Sequence, residues 1–234
     1  MNHTSEKLSS ELVAELGREF EEKDPQAVLA WVLGEFHPQV TLATGFGAEG
    51  MALVDMAVQI EPDLRVFYLD TEFLFHETYE LRDRIMEKYG VRPVAYRSSL
   101  SPEAQAIEHG PELYRHDPDL CCHLRKVLPL RQALSGLGAW ITGIRRDQAP
   151  SRSNIGIVEW DQKFDLIKVN PLARWSSADV WDYVQAHDVP YNPLHDQDYP
   201  SIGCTHCTSP VKLGEDARAG RWRGLVKTEC GLHR

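Results

Sequence analysis

Five cysteines carry the chemistry in this chain of 234 residues, and their spacing divides the work. Cys204-Thr-His-Cys207 is a Cys-x-x-Cys pair, Cys121 and Cys122 are adjacent, and Cys230 is left over in Lys227-Thr-Glu-Cys230-Gly-Leu-His233. Four thiolates in two pairs suggest one metal site, and an odd thiol within reach of Arg and His suggests a nucleophile. Zinc and iron–sulfur clusters both accept four thiolates. The Cys-x-x-Cys pair suits either, whereas adjacent cysteines fit poorly with two facing zinc knuckles and can each hold a different corner of a larger cluster. The spacing therefore favours a cluster over zinc. His123 and His206, beside the two pairs, are read as flanking residues and not as ligands. Cys230 lies in no periodic apolar segment, so core packing does not explain it. Arg218, Arg221, Lys227 and His233 offer the positive charge that turns a thiol into a competent thiolate. Gly231 beside it suggests a mobile tail that closes over a site.

The charge balance narrows the ligand. A net charge of −10 argues against a nucleic-acid binder. Basic residues are nevertheless concentrated at Arg145, Arg146, Arg152, Arg218, Arg221 and Arg223, which implies a small anionic ligand. For any single arginine the alternative is a solvated surface charge. No stretch approaches the ~20 apolar residues of a membrane span, and the N-terminus reads as no signal peptide. Together these point to the cytoplasm, where clustered cysteines more often bind metal or do chemistry than form disulfides.

These groups must be positioned by a scaffold, and the scaffold reads as α/β. Leu8, Leu12, Leu16 and Phe20, then Val28, Trp31, Val32 and Phe36, mark two helices, the second opened by Asp24-Pro25. Residues 40–44 read as a buried strand running into a glycine-rich turn, residues 45–50, and a helix over 51–60. A strand over 64–69 ends at Asp70-Thr71, followed by a helix over 76–89 and a strand over 91–96. Alternating strands and helices imply a mostly parallel sheet with ligands beyond the strand C-termini. There a glycine turn aims backbone N–H groups at a phosphate, although this one lacks the Gly-Lys-Ser/Thr of a Walker loop. Residues 97–120 read as irregular, and Cys121-Cys122 as the start of a helix to about Ser135. A strand over 139–143, an edge hairpin of residues 155–160 and 164–169, and a helix over 180–187 behind the capping box Ser176-Ser-Ala-Asp179 complete the reading. The expected units are N-terminal helices over 1–37, an α/β domain over 38–210 and a tail over 211–234.

These residues together resemble the adenylyl-sulfate (APS) and phosphoadenylyl-sulfate (PAPS) reductases of assimilatory sulfate reduction. The specific elements are the terminal Lys-Thr-Glu-Cys230-Gly-Leu-His233, the four paired cysteines, Leu69-Asp70-Thr71, Thr142-Gly143-Ile-Arg145-Arg146-Asp147 and Gly220-Arg221-Trp222. The resemblance implies a Rossmann-like adenine nucleotide α-hydrolase fold. It also implies a [4Fe-4S] cluster on Cys121, Cys122, Cys204 and Cys207, with APS as substrate. Thr44, Gly45, Phe46, Gly47, Leu69, Asp70, Lys126, Arg145, Arg146, Arg218 and Arg221 would bind it. The implied chemistry is attack of Cys230, with His233 beside it, followed by reduction by thioredoxin or a similar dithiol protein. The turn departs from the superfamily's Ser-Gly-Gly-x-Asp-Ser loop by lacking its Asp and second Ser, which argues against ATP pyrophosphate cleavage and leaves nucleotide binding intact. The alternatives are PAPS or dual reduction, and a zinc-stabilised nucleotide-binding protein in which Cys230 is incidental. A homo-oligomer stays open at this stage.

Overall fold

A computed structural model describes residues 10–233 of the chain, so the Leu8 position of the first helical stripe and Arg234 lie outside the described residues. The first helix, α1 (Ser10–Phe20), buries Val13 and Phe20 while Leu12 stays exposed. An i,i+4 row drifts around a helix with 3.6 residues per turn, and Val13 takes the inward place that a Leu12 row would have held. In α2 (Pro25–Phe36) the Asp24 carboxylate accepts the Ala27 N–H at 2.7 Å and Pro25 opens the first turn.

Six strands form one sheet: β1 (Val40–Ala43), β2 (Val66–Leu69), β3 (Val94–Tyr96), β4 (Ala139–Ile141), β5 (Val158–Asp161) and β6 (Leu166–Val169). Their order is β3-β2-β1-β4-β6-β5, and every pairing is parallel except that of β5 with β6. The hairpin at the edge is therefore as expected. Because side chains alternate across a strand, Val66 and Tyr68 face one way and Phe67 the other, as do Ala139 and Ile141 against Trp140. The first set joins the main core with α1, α2, α3 (Ala48–Ile60), α4 (His76–Tyr89) and a later helix, residues 177–186. The second set meets Leu130, Ala133 and Leu134 on the opposite face, where Leu232 of the tail also packs.

Residues 97–120 are helical where irregular chain was expected. They form α5 (Pro102–His109), α6 (Leu113–His116) and α7 (Pro118–Cys122). Pro102 and Pro118 start helices here, each behind a capping side chain: Ser101 accepts from the Ala104 N–H at 3.2 Å and Asp117 from the Leu120 N–H at 2.9 Å. The cysteine pair accordingly closes α7. The chain continues through a π turn (His123–Val127) into α8 (Leu128–Leu134). Pro129 has no N–H to give the carbonyl four residues back, and the Leu128 N–H reaches His123 instead. The helix α9 (Ser177–Ala186) begins at the Ser176–Asp179 capping box. Among the described residues no helix is long and apolar enough to cross a membrane.

One buried carboxylate ties three helices together. Asp55 of α3 accepts the Tyr89 hydroxyl of α4 at 2.8 Å and the Tyr183 hydroxyl of α9 at 2.7 Å. Asp55→Ala strands both hydroxyls, and a loss of about 2–3 kcal/mol in denaturant unfolding is expected. An unchanged midpoint would remove Asp55 from the stabilising network.

Candidate active site

The C-terminal ends of β1, β2 and β4 open into a cleft of ≈ 690 Å³. The turn after β1 is built around Thr44, whose hydroxyl accepts the Phe46 N–H at 3.0 Å. Gly50 must be glycine, since a Cβ there would stand 2.5 Å from the Thr44 hydroxyl oxygen. α3 starts at Ala48, three residues ahead of the expected start, and Gly47 caps it without a side chain. The first-turn N–H groups, which no helix can satisfy internally, thus face the cleft side. Thr44, Gly45, Gly47, Leu69, Lys126, Arg145, Arg218, Arg221, Cys230 and His233 all line this cleft.

Phe46, Asp70 and Arg146 are placed elsewhere. Phe46 is buried, edge-on to Tyr68 at 5.1 Å. Asp70 follows Leu69 and, by strand alternation, points away from it. Its carboxylate is taken by the Tyr79 hydroxyl at 2.7 Å and by Arg97 at 2.7 and 2.9 Å. Burial raises its pKa, but these hydrogen bonds win and hold the carboxyl below its ordinary range. Arg146 grips Glu21 beyond α1 through two hydrogen bonds of 2.5 and 2.9 Å. Its neighbour Arg145 does line the cleft, yet its guanidinium is held by Glu49 at 3.0 Å and by Asp147.

The four paired cysteines come together around one pocket. Cys121, Cys122, Cys204 and Cys207 line one small pocket together with Phe73, Tyr114, Arg125 and Lys126, and all four are free. The loop after β2 sets the second pair in place: the Thr71 hydroxyl lies 3.3 Å from the Cys204 sulfur, and the Thr205 N–H donates to the Phe73 carbonyl at 2.8 Å. Arg125, only 1% exposed, braces the wall by hydrogen bonds to Gln105, Glu72 and the Thr71 and Leu100 carbonyls. Burial and the neighbouring thiols push Cys121 up to about 12 and Cys207 up to about 11. Such a site holds thiolates only around a cationic centre. Among the described residues no three His, Cys, Asp or Glu side chains converge tightly enough to hold a single ion. The four sulfurs line one small pocket. His206 stacks on Tyr114 at 4.2 Å and lines the same pocket.

Lys126, on the π turn, stands between this pocket and Cys230. Burial pushes its pKa down, but the thiolates of Cys204, Cys230 and Cys122 outweigh that and raise it. For Cys230 burial pushes up. Lys126, then the Leu232 N–H, then Arg221 overcome it and hold the thiol below its ordinary value. The Leu232 N–H can turn back because Gly231 adopts φ +80°, a conformation glycine takes without penalty. Arg221 fits against Gly203, where a Cβ would stand 2.3 Å from its guanidinium. Lys227 instead pairs with Asp119, and its ammonium lies 5.7 Å from the Trp222 ring centre. His233 stacks on Trp140 at 5.7 Å. Burial, then Lys168 and Arg152, drive its pKa well below the usual imidazole value, so it is neutral at pH 7 and is no source of charge for Cys230. Arg152, Gln148 and Trp140 also line the cleft, though the motifs did not single them out as site residues. No local spacing marks Arg152 as a site residue, because its partner Glu229 lies 77 residues away in the chain.

A cleft at the strand ends, with a thiol held low by Lys126 and Arg221, can present a nucleophile to an anionic ligand. Residues 39–210 match the family model "Phosphoadenosine phosphosulfate reductase domain", and the chain belongs to that family of APS and PAPS reductases. It is 48% identical over 219 residues to adenosine 5'-phosphosulfate reductase 1 of Bacillus subtilis (strain 168), covering 92% of this chain and 94% of that one. It is 46% identical over 222 residues to the adenosine 5'-phosphosulfate reductase of Halalkalibacterium halodurans, covering 94% and 96%. The structure of a phosphoadenylyl-sulfate reductase from Candida auris superposes with a TM-score of 0.77 at 34% identity, over 87% of this chain and 98% of that one. Candida glabrata FMN adenylyltransferase, at 13% identity and TM-score 0.56 over 86% and 72% of the chains, shares the fold alone. The fold is the Rossmann-like adenine nucleotide α-hydrolase type.

Proposed function

We propose that this protein reduces adenylyl sulfate to sulfite and AMP with electrons from thioredoxin or a similar dithiol protein, in cytoplasmic sulfate assimilation. The observation that carries this reading is the pair Lys126 and Arg221. Among the described residues these are the cleft cations with no carboxylate partner, and both lower the Cys230 pKa. The other three, Arg145, Arg152 and Arg218, are bound to Glu49, Asp147 and Glu229. Lys126 and Arg221 are thus left to meet the anionic sulfuryl group and the nucleophile.

In the proposed reaction the Cys230 thiolate attacks the sulfuryl sulfur, the bond from sulfur to the bridging phosphate oxygen breaks, and AMP leaves with that electron pair. The S-sulfocysteine formed is then attacked at the Cys230 sulfur by a thiolate of the reductant, and sulfite leaves with the electrons of the S–S bond. The reductant's second thiol resolves the mixed disulfide and returns Cys230 as a thiolate. Fixed cations aimed at the developing charge on the leaving phosphate supply the stabilisation. His233, neutral against Trp140, contributes shape and a ring nitrogen but no charge.

Cys121, Cys122, Cys204 and Cys207 would hold a [4Fe-4S] cluster. When bound, such a cluster keeps these four thiols ionised and adds a fixed local charge beside Lys126. The test is sulfite release from APS and from PAPS with reduced thioredoxin, alongside the iron and sulfide content of protein purified without oxygen. Faster turnover of APS, with about four irons per chain, is expected. Turnover of PAPS alone would overturn the substrate, and a zinc-containing protein would overturn the cluster.

A further inference from the structure

Glu229 poses a physical puzzle. It is 7% exposed, one residue before Cys230, and an anion there opposes ionisation of the thiol. An acid beside a thiolate needs a compensating role, and its contacts supply one. Both carboxylate oxygens are taken by Arg152, at 2.7 Å each, and Arg218 and Ser151 add contacts at 3.3 and 3.1 Å. Arg152 and Ser151 belong to the loop beyond β4, so they are fixed to the sheet, whereas Glu229 belongs to a tail without helices among its described residues. Two-pronged Arg–carboxylate contacts fix orientation as well as distance. Gly231 is held through its carbonyl by Lys163 in the β5–β6 turn, so the tail is gripped on both sides of the cysteine.

We propose that Glu229 is the positioning residue for Cys230: its grip on Arg152 latches the tail closed with the thiol beside Lys126 and Arg221, and release of that grip exposes the sulfur to the reductant. This rests on the reading of Cys230 as the nucleophile. It also separates the two half-reactions by conformation. Attack on the nucleotide needs the tail closed, and attack by a protein dithiol on the Cys230 sulfur needs it open.

The test is alkylation of Cys230 by iodoacetamide in the full chain, followed on the C-terminal peptide by mass spectrometry and compared at the high-pH plateau. Glu229→Gln removes an anion and Arg152→Met removes a cation, so their electrostatic effects on the thiol have opposite signs, whereas both break the latch. Both are expected to raise the plateau rate at least about tenfold, since truncating one partner of a buried charge pair shifts an equilibrium by that much or more. Should Arg152→Met not fold, Lys163→Met, which frees the Gly231 carbonyl, takes its place. In turnover Glu229→Gln lowers kcat and leaves KM nearly unchanged. Plateau rates that move in opposite directions, or a Glu229→Gln rate within twofold of the parent, would overturn the latch. Alkylation reads the tail without turnover, so absence of sulfite release from APS would strike the proposed activity and leave this measurement standing.

Discussion

Cys230→Ser lowers sulfite release at least about 10⁴-fold while AMP still binds. The oxygen of serine stays protonated in a setting that ionises a thiol, and the neutral His233 provides no charge to help it. The loss is large because no second residue can take over the covalent step: the other four thiols line the separate pocket. AMP affinity is kept because the turn after β1 and the ends of β2 and β4, which shape the cleft, do not depend on the cysteine. Sulfite release above about one per cent of the parent rate would place the nucleophile elsewhere.

Lys126→Met lowers kcat about 10²–10³-fold, the size expected for removing one fixed charge aimed at a developing anion in a site closed to water. The sign of its effect on pH dependence follows from the forces on Cys230. Burial raises that thiol's pKa and Lys126 is the largest influence lowering it. Without the ammonium the pKa rises, less thiolate exists at neutral pH, and the pH profile of Cys230 alkylation moves to the alkaline side. An unmoved profile would show that Arg221 and the Leu232 N–H suffice. The same substitution also takes a cation away from Cys204 and Cys122, so iron content should be measured in parallel.

The legible part of the site was the part carried by short spacing. The Cys-x-x-Cys pair, the adjacent cysteines and the terminal thiol identify themselves, and Leu69 and the glycine turn follow from strand ends in a parallel sheet. Which arginines stay available for an anion was not legible, because their acids lie far away in sequence. Arg145 meets Glu49 across 96 residues, Arg152 meets Glu229 across 77, and Arg146 meets Glu21 across 125. Arg145 and Arg146 are neighbours of one type with different surroundings, since Arg145 precedes and Arg146 opens a tight 3-10 turn and their side chains diverge to Glu49 and Glu21. The helices within residues 97–120 were hidden by their prolines. Pro102 and Pro118 read as breakers unless Ser101 and Asp117 before them are recognised as caps.

The packing of α1 bears on a question separate from catalysis. The Asn170 N–H donates to the Ile157 carbonyl, and by the alternation of an antiparallel pair the Val158 carbonyl points away from β6 toward the open side of the sheet. A Cβ on Gly17 of α1 would stand 3.0 Å from that very oxygen, and Arg146 clamps Glu21 just beyond the helix. An incoming strand from another molecule therefore meets a helix where it would need free backbone. The N-terminal helix guards the β5 edge of the sheet against edge-to-edge pairing, and a chain in which α1 is loosened exposes that edge as a template for aggregation.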